Sequence, residues 1–375
     1  MKQKTPTAMR IILVFSRLFV GITFVFSGFV KGVDPMGFSY KIEEYLNVFG
    51  FEWAIPLAFA AALIMCALEF TIGVSLIFNA HKKLTAWILL LFMLFFTALT
   101  FTDALTNKVD DCGCFGDAVK LTNWETFWKN VILMVPTIII FCYRNRKAKK
   151  KTFERDTLIV VMGFAAMILF GIYNRCNEPV LDFRPWKVGN RMMNEKRGEI
   201  RNYVTYENTE TGESSRFLSS ELMKYYEDST WEETHKWVKT ETEDPNEIFA
   251  EGFSMLGTDN IDHSKEIIGG NDHVLILTLH DLDISKKGLR NLKNVYREAT
   301  EANIHIVLLT CALDNELQNF LTANDLENME YYFADDKAIK TIARANPGLI
   351  WLKDAVVMGK WHYRNFPELA DLSLN

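Results

Sequence analysis

The sequence predicts a membrane-embedded helical bundle followed by an α/β domain outside the membrane. Hydrophobic residues make up 49% of the 375-residue chain, and they concentrate before about residue 175. Five apolar runs there are each long enough to cross a hydrocarbon core as a helix. After residue 270, strand-like and helix-like segments alternate. The net charge of -6 carries no basic footprint, so nucleic acid is not an expected partner.

The predicted spans cover residues 9–30, 54–78, 84–102, 127–143 and 157–173. A cleaved signal peptide is disfavoured for the first run, because the run is long, contains Arg17 and lacks a small-x-small cleavage site. Lys and Arg cluster at the N-terminus, at 81–83 and at 144–151. Short basic loops stay in the cytoplasm. We therefore expect a multi-pass protein of the bacterial inner membrane, with a cytoplasmic N-terminus and a periplasmic C-terminal half.

Two ionisable residues fall inside the predicted spans, where a charge is expensive. Arg17 and Glu69 each lie roughly 10–14 Å from the cytoplasmic end of their spans, at about 1.5 Å of rise per residue. They could form an intramembrane pair. Alternatively, Arg17 extends to the interface and Glu69 accepts a local hydrogen bond. A catalytic or proton-relay role is a further alternative.

A Cys-Gly-Cys turn is the candidate site. Residues 110–117 read Asp-Asp-Cys-Gly-Cys-Phe-Gly-Asp and connect the third and fourth spans on the predicted periplasmic side, an oxidising compartment. The neighbouring carboxylates would raise the pKa of a thiol. Cys112 and Cys114 would be a redox-active pair, an inert disulfide staple or metal ligands. No His lies in the loop to help complete a zinc site.

The remaining cysteines carry less information. Cys66 and Cys142 lie in or at the end of predicted spans, where a buried apolar thiol is expected. Cys176, just beyond the fifth span, could resolve a mixed disulfide with the turn. Cys311 ends a predicted strand and is expected to lie in a core.

In and just after the first two spans, the sequence contains Arg17, Gly21, Phe24, Ser27-Gly28, Lys31, Asp34-Pro35, Glu69 and Gly73. With this pattern, the first four spans resemble the DoxX superfamily. The turn at 112–116 resembles the related MauE (methylamine utilisation) branch. The resemblance, over roughly residues 10–145, implies a four-helix membrane module associated with redox chemistry, either beside a quinone-linked oxidoreductase or in disulfide formation. Quinone is the cofactor that it suggests.

The predicted domains are residues 1–145, the four-helix module; 146–176, a basic loop and fifth span; 177–245, a connecting subdomain; and 246–375, the α/β domain. The connecting subdomain is expected to have short strands joined by turns at 207–209 and 211–213, followed by a helix near 219–227. Strands are expected at 274–279, 305–311 and 331–333, with a hairpin at 348–353 and 356–363. Helices are expected at 286–302, 315–323 and 337–345. This order resembles thioredoxin-like periplasmic domains, with Pro347 at the position of the family's cis-proline.

The α/β domain departs from that family in the absence of its active-site motif. Where active members carry Cys-x-x-Cys, residues 279–285 contain no cysteine. Instead, His280, Asp281 and Asp283 lie at the helix start, and Asp283 or Ser285 would cap the helix. Together with Pro347, these residues could retain a peptide-binding groove.

The sequence leaves two functional hypotheses open. In the first, the bundle passes electrons between Cys112/Cys114 and a membrane carrier such as quinone, serving periplasmic protein clients that the outer domain binds. In the second, the chain is a membrane-anchored scaffold or envelope-assembly factor without catalysis. The missing Cys-x-x-Cys favours the second hypothesis. The Cys turn and the intramembrane charges favour the first.

Overall fold

The computed structural model describes residues 7–109, 112–145, 153–193, 201–209, 211–222, 235–243, 253–270 and 273–372. Several features of the sequence lie outside these residues: Lys2 and Lys4, Asp110 and Asp111, and most of the basic loop at 146–152. The chain forms two compact units. One comprises Met1–Arg184, Lys340–Gly348 and Trp361–Phe366, and the other comprises Pro185–Ile339, Leu349–Lys360 and Pro367–Asn375.

Within the described residues, five helices are long and apolar enough to cross a membrane. They are α1 (Thr7–Val33), α3 (Ala58–Phe78, preceded by a 3-10 turn at Glu52–Leu57), α4 (Lys82–Thr106), α5 (Asn123–Cys142) and α6 (Phe153–Cys176). The number and order of the predicted spans are confirmed. A capping box begins α5, because the Thr122 and Glu125 side chains each accept from the other's backbone N–H.

Helix α2 (Pro35–Val48) lies between the first two predicted spans, where no helix was predicted. Its start is specified locally. The Asp34 side chain accepts from the Gly37 backbone N–H at 2.9 Å, and Pro35 occupies the first helical turn, where its missing N–H costs nothing. The Asp34-Pro35 pair is therefore a helix-start signal that the sequence analysis used only for the resemblance.

Helices α1 and α3 approach each other closely through glycines. A Cβ on Gly28 would lie 2.6 Å from the Phe70 backbone nitrogen, and a Cβ on Gly73 would lie 2.6 Å from the Gly21 carbonyl oxygen. Small residues permit such backbone contact between membrane helices. These contacts set the antiparallel register of the two helices, with Gly28 opposite Cys66 and Phe70.

The core of the bundle is shared by α1, α3, α4 and α5. Its buried members include Val20, Ile72, Leu89 and Leu133. Helix α6 packs on α3, and the Asn174 side chain donates to the Gly32 carbonyl at 3.0 Å. Residues of four helices thus share this buried cluster, and α6 packs against α3.

The described residues of the second unit form two sheets. A three-stranded antiparallel sheet has the order β2-β1-β3, from β1 (Arg201–Asn208), β2 (Ser214–Leu218) and β3 (His235–Glu243). The sequence analysis predicted the turns of the β1–β2 hairpin but missed β3. The helix expected near 219–227 is a 3-10 turn at Ser219–Glu221, and residues 223–227 lie outside the described residues.

The larger sheet has the strand order β6-β5-β4-β7-β8. Its strands are β4 (His273–Leu279), β5 (His305–Thr310), β6 (Tyr331–Phe333), β7 (Gly348–Lys353) and β8 (Val356–His362). The helices are α7 (Ser264–Gly270), α8 (Lys286–Glu301), α9 (Asp314–Ala323) and α10 (Asp336–Ile342). Strands β4, β5 and β6 are parallel. This is the predicted element order, with α7 added before it, and it is an α/β arrangement.

Candidate dithiol site

The Cys-Gly-Cys turn lies between α4 and α5. Gly113 adopts φ +62°, a conformation that glycine takes without strain, and its carbonyl accepts from the Gly116 N–H at 3.1 Å. Asn123, at the start of α5, donates to the Val109 carbonyl at 2.9 Å. The turn is thus tied to itself and to the helix that follows it.

Cys112 and Cys114 are brought together as thiols. Both are free cysteines, and the thiol of Cys112 donates a hydrogen bond to the sulfur of Cys114. Cys112 is 8% exposed. Two thiols that are hydrogen-bonded to each other are close enough to form a disulfide when they are oxidised.

A buried ion pair lies beneath the turn. Lys31 Nζ lies 2.6 Å from Glu69 Oε1, and these two residues are 3% and 4% exposed. The Ser27 hydroxyl lies 2.7 Å from Glu69 Oε2 and 2.8 Å from the Cys114 carbonyl oxygen. Ser27 therefore connects the ion pair to the backbone of the turn.

Two further groups border the site. Lys129 Nζ, on α5, lies 4.4 Å from the centroid of the Phe115 ring, and that ring packs against Phe26 with centroids 5.5 Å apart. Tyr45, on α2, donates to Asp103 Oδ2 at 2.6 Å. Burial and this hydrogen bond raise the pKa of Tyr45. We call Cys112, Cys114, Ser27, Lys31, Glu69 and Lys129 the dithiol cluster.

The two thiols differ in acidity. The hydrogen bond from Cys112 lowers the pKa of Cys114; burial opposes this effect, whereas the charges of Lys129 and Lys31 add to it. The same hydrogen bond and burial raise the pKa of Cys112. Cys114 is therefore the thiol that ionises first, and its thiolate is the nucleophilic form.

This result corrects the expected electrostatics of the turn. From the sequence, the neighbouring carboxylates were expected to raise the pKa of a thiol in the turn, whereas the pKa of Cys114 is lowered. Asp117 instead pairs with Arg344 of the same unit at 3.2 Å, and two lysines act on the thiols. Asp110 and Asp111 lie outside the described residues. Lys31 and Lys129 are distant in sequence, so local reasoning could not count them.

The structure does not bring Arg17 and Glu69 together, so the proposed pair was wrong. Glu69 bonds to Lys31 and Ser27, whereas Arg17 borders a cavity with Ser75 and Asn79. The register of the two helices explains this separation. The part of α1 near Gly28 lies against the part of α3 that contains Glu69. Arg17 lies instead near α3 residues one to three turns C-terminal to Glu69. Equal depth alone could not predict the register.

Sequence reasoning also missed Lys31 and Ser27 as members of the site. Both appear in the resemblance, but without a role. Their spacing of four residues places them on one helix face, which is a signal that could have paired them with Glu69. For Lys129 no such local signal exists.

The other cysteines are dispersed. Cys66 is buried as expected, but Cys142 is exposed rather than buried. Cys176 interacts with Arg364. Cys311 is half-buried, and its thiol donates to the His280 carbonyl at 3.2 Å. Cys176 as a resolving thiol stays a prediction.

The candidate binding residues of the α/β domain follow β4. His280 is half-buried, whereas Asp281 and Asp283 are exposed, and the Asp281 carboxylate accepts from the Asp283 N–H at 2.9 Å. Ser285 caps α8 by accepting from the Gly288 N–H, as one of the two expected caps. Pro347 is buried and follows a cis peptide bond. It belongs to the first unit and the other three to the second, so the groove stays a prediction.

Comparison with known proteins supports the membrane part of this picture. Residues 9–143 match the model of the family described as methylamine utilisation protein MauE. The chain is also 21% identical, over 189 residues, to a protein named TlpB from Flavobacterium psychrophilum. That match covers 49% of this chain and 50% of TlpB, so the chain spans about half the length of the curated relative it matches. The chain is thus a multi-pass membrane protein whose helical segment is similar to MauE.

Proposed function

We propose that this protein is an inner-membrane thiol oxidoreductase in which Cys112 and Cys114 cycle between dithiol and disulfide. The observation that carries the proposal is the hydrogen-bonded pair of thiols above the buried Lys31–Glu69 pair. The similarity to MauE and TlpB supports a link to redox or thiol–disulfide processes. In this account the turn faces the periplasm, and the α/β domain binds the client protein there.

The reaction balances as two coupled exchanges. A client dithiol attacks the Cys112–Cys114 disulfide, a mixed disulfide forms, and the second client thiolate releases the reduced turn. The reduced turn then passes two electrons and two protons to a two-electron carrier in the membrane, and its disulfide re-forms. The net result is one client disulfide formed and one carrier reduced. A disulfide across a single glycine closes a small ring, which makes it readily reducible and therefore a good oxidant.

The lysines of the dithiol cluster assist the acidic thiol. When the disulfide is attacked, one sulfur leaves as a thiolate, and a thiol of lower pKa leaves faster. Lys129 and Lys31 stabilise negative charge on Cys114, so Cys114 is the better leaving group. Glu69 holds Lys31 in place through a 2.6 Å contact. Glu69 is a positioning residue in this account.

A quinone is the carrier that the resemblance suggests. An apolar cavity of about 310 Å³, lined by residues of α3, α4 and α6, has a suitable size and lining. However, it includes His81 and Leu84, at the opposite end of α4 from the turn. A quinone in that cavity would therefore not contact the thiols.

The missing Cys-x-x-Cys favours a second candidate function. The residues between β4 and α8 contain no thiol, so the α/β domain cannot itself exchange disulfides there. If the Cys turn is static, the protein is a membrane-anchored scaffold or envelope-assembly factor whose α/β domain binds its partner.

Replacing both thiols tests the proposal. In a strain that carries Cys112→Ser and Cys114→Ser together, we expect reduced thiols to accumulate in periplasmic proteins, measured by alkylation and mass spectrometry. Cys142→Ser, which removes an exposed cysteine outside the dithiol cluster, is the matched control. Unchanged client thiols, with normal levels of the variant in the membrane, would leave the scaffold function.

A further inference from the structure

A second polar site lies at the other end of the bundle. A cavity of about 50 Å³ is bordered by α1, α3, α4 and α5, and three cationic side chains line it: Arg17, Lys82 and Arg144. Asn79 and Tyr143 add polar groups. Among the described residues that line it, none is a carboxylate. The positive charge of this cavity is thus not balanced from within its own lining.

The strongest sign of a ligand is the guanidinium of Arg17. Its Nε is buried and lacks a hydrogen-bond partner, which is costly for a cationic donor. Arg144 is already anchored, because Nη1 donates to the Phe141 carbonyl at 2.8 Å and its guanidinium lies 3.7 Å from the centroid of the Phe141 ring. The cavity therefore combines the fixed guanidinium of Arg144 with the buried Nε–H of Arg17, which has no hydrogen-bond acceptor.

The volume and the chemistry fit a phosphate group. A cavity of this volume holds roughly three to five water-sized groups, comparable to the four oxygens of a phosphate. Arg binds phosphate through paired, charge-assisted hydrogen bonds, and Lys adds a point charge. Such a group would accept from Arg17 Nε and neutralise part of the cluster.

The position of the cavity indicates a lipid as the source of the phosphate. Asn79 caps the end of α3, Lys82 begins α4, and Tyr143 follows the end of α5. Ends of spanning helices lie at the headgroup level of a bilayer. Leu84 and Trp87, on the adjoining turn of α4, are exposed and suit acyl chains beside the headgroup.

We propose that the cavity among Arg17, Lys82 and Arg144 binds the headgroup phosphate of an anionic phospholipid. This site is separate from the dithiol cluster, and it does not depend on the redox proposal. Orientation by basic loops places it at the cytoplasmic leaflet. The same side chains that orient the protein would then also select the lipid around it.

The test is lipid binding by the purified full-length protein in detergent, measured by native mass spectrometry. Phosphatidylglycerol, phosphatidylcholine and inorganic phosphate are offered in turn. We expect retention of phosphatidylglycerol and a roughly tenfold loss of that affinity in Arg17→Gln, since a charge-assisted hydrogen bond is lost. Arg17→Lys keeps the charge and should retain the preference for the anionic lipid, even if it binds less tightly.

Lys83→Gln is the matched control, because Lys83 is exposed and does not line the cavity. It should bind as the wild type does. Equal binding of the two phospholipids, or equal losses in Arg17→Gln and Lys83→Gln, would overturn the site. Displacement of the lipid by inorganic phosphate at equal concentration would overturn the lipid as its source.

Discussion

At the scale of single residues, the site contains a buried pair of opposite charges, Lys31 and Glu69, whose removal from water costs free energy. Lys31 and Glu69 are buried together and contact at 2.6 Å. Removing one partner of a buried pair leaves the other charge uncompensated, which costs more than losing both. The pair is therefore a sensitive point for both stability and the properties of the thiols.

We expect Lys31→Met to destabilise the bundle by about 3–5 kcal/mol, because Glu69 is left buried and unpaired. The double variant Lys31→Met/Glu69→Leu should be more stable than the single one, since no buried charge remains. Unfolding of the detergent-solubilised protein measures both. If Lys31→Met is as stable as the wild type, the ion pair does not stabilise the bundle.

The unequal acidity of the two thiols gives a second expectation. Because the pKa of Cys114 is lowered and that of Cys112 is raised, the Cys114 thiolate forms first as the pH rises. Alkylation of the reduced protein, followed residue by residue with mass spectrometry, should begin at a lower pH for Cys114. The reverse order would contradict the electrostatics described above.

Lys129 contributes to that order. Lys129→Gln removes a charge that lowers the pKa of Cys114, so alkylation of Cys114 at about pH 5, where only a minor fraction of this thiol is ionised, should slow by roughly threefold to tenfold. Lys120→Gln is the control, because Lys120 is an exposed lysine of the loop that carries Cys114. It should leave the rate of Cys114 alkylation unchanged. Equal slowing in both variants would point to a general surface-charge effect.

At the scale of elements, glycine contacts fix how α1 meets α3. Their register places Ser27 and Lys31 opposite Glu69 and separates Arg17 from it. The sequence predicts how deep each charged residue lies in the membrane. Which residues pair also depends on how each helix is rotated and on the register between the helices. Helix α2 shows the opposite case, because its start signal was present in the sequence.

Gly28→Ala should weaken the bundle by about 1–3 kcal/mol, because its Cβ would lie 2.6 Å from the Phe70 backbone nitrogen and the helices must separate. Gly163→Ala is the matched control. There the added Cβ meets its nearest atoms at 3.9 Å, so the change should be neutral or slightly stabilising. Thermal unfolding of the two variants in the same detergent compares them. Similar losses would exclude close packing at Gly28 as the cause.

At the scale of the whole molecule, hydropathy and periodicity predicted the spans and the sequence of strands and helices that build the larger sheet, because both patterns are local in sequence. The dithiol cluster combines residues from α1, α3, α5 and the turn before α5. Only Cys112, Cys114 and Glu69 were recognised from sequence as candidates. Ser27 and Lys31 carry a local signal, because their spacing of four residues places them on one helix face. Lys129 required the packed bundle, since no spacing in the sequence joins residue 31 to residue 129.

The thiol state of Cys112 and Cys114 in cells tests the central claim most directly. Differential alkylation and mass spectrometry would measure it before and after respiration is blocked. If the turn passes electrons to a membrane carrier, blocking respiration should shift the pair from disulfide to dithiol. A pair that keeps the same state under both conditions would contradict the redox account.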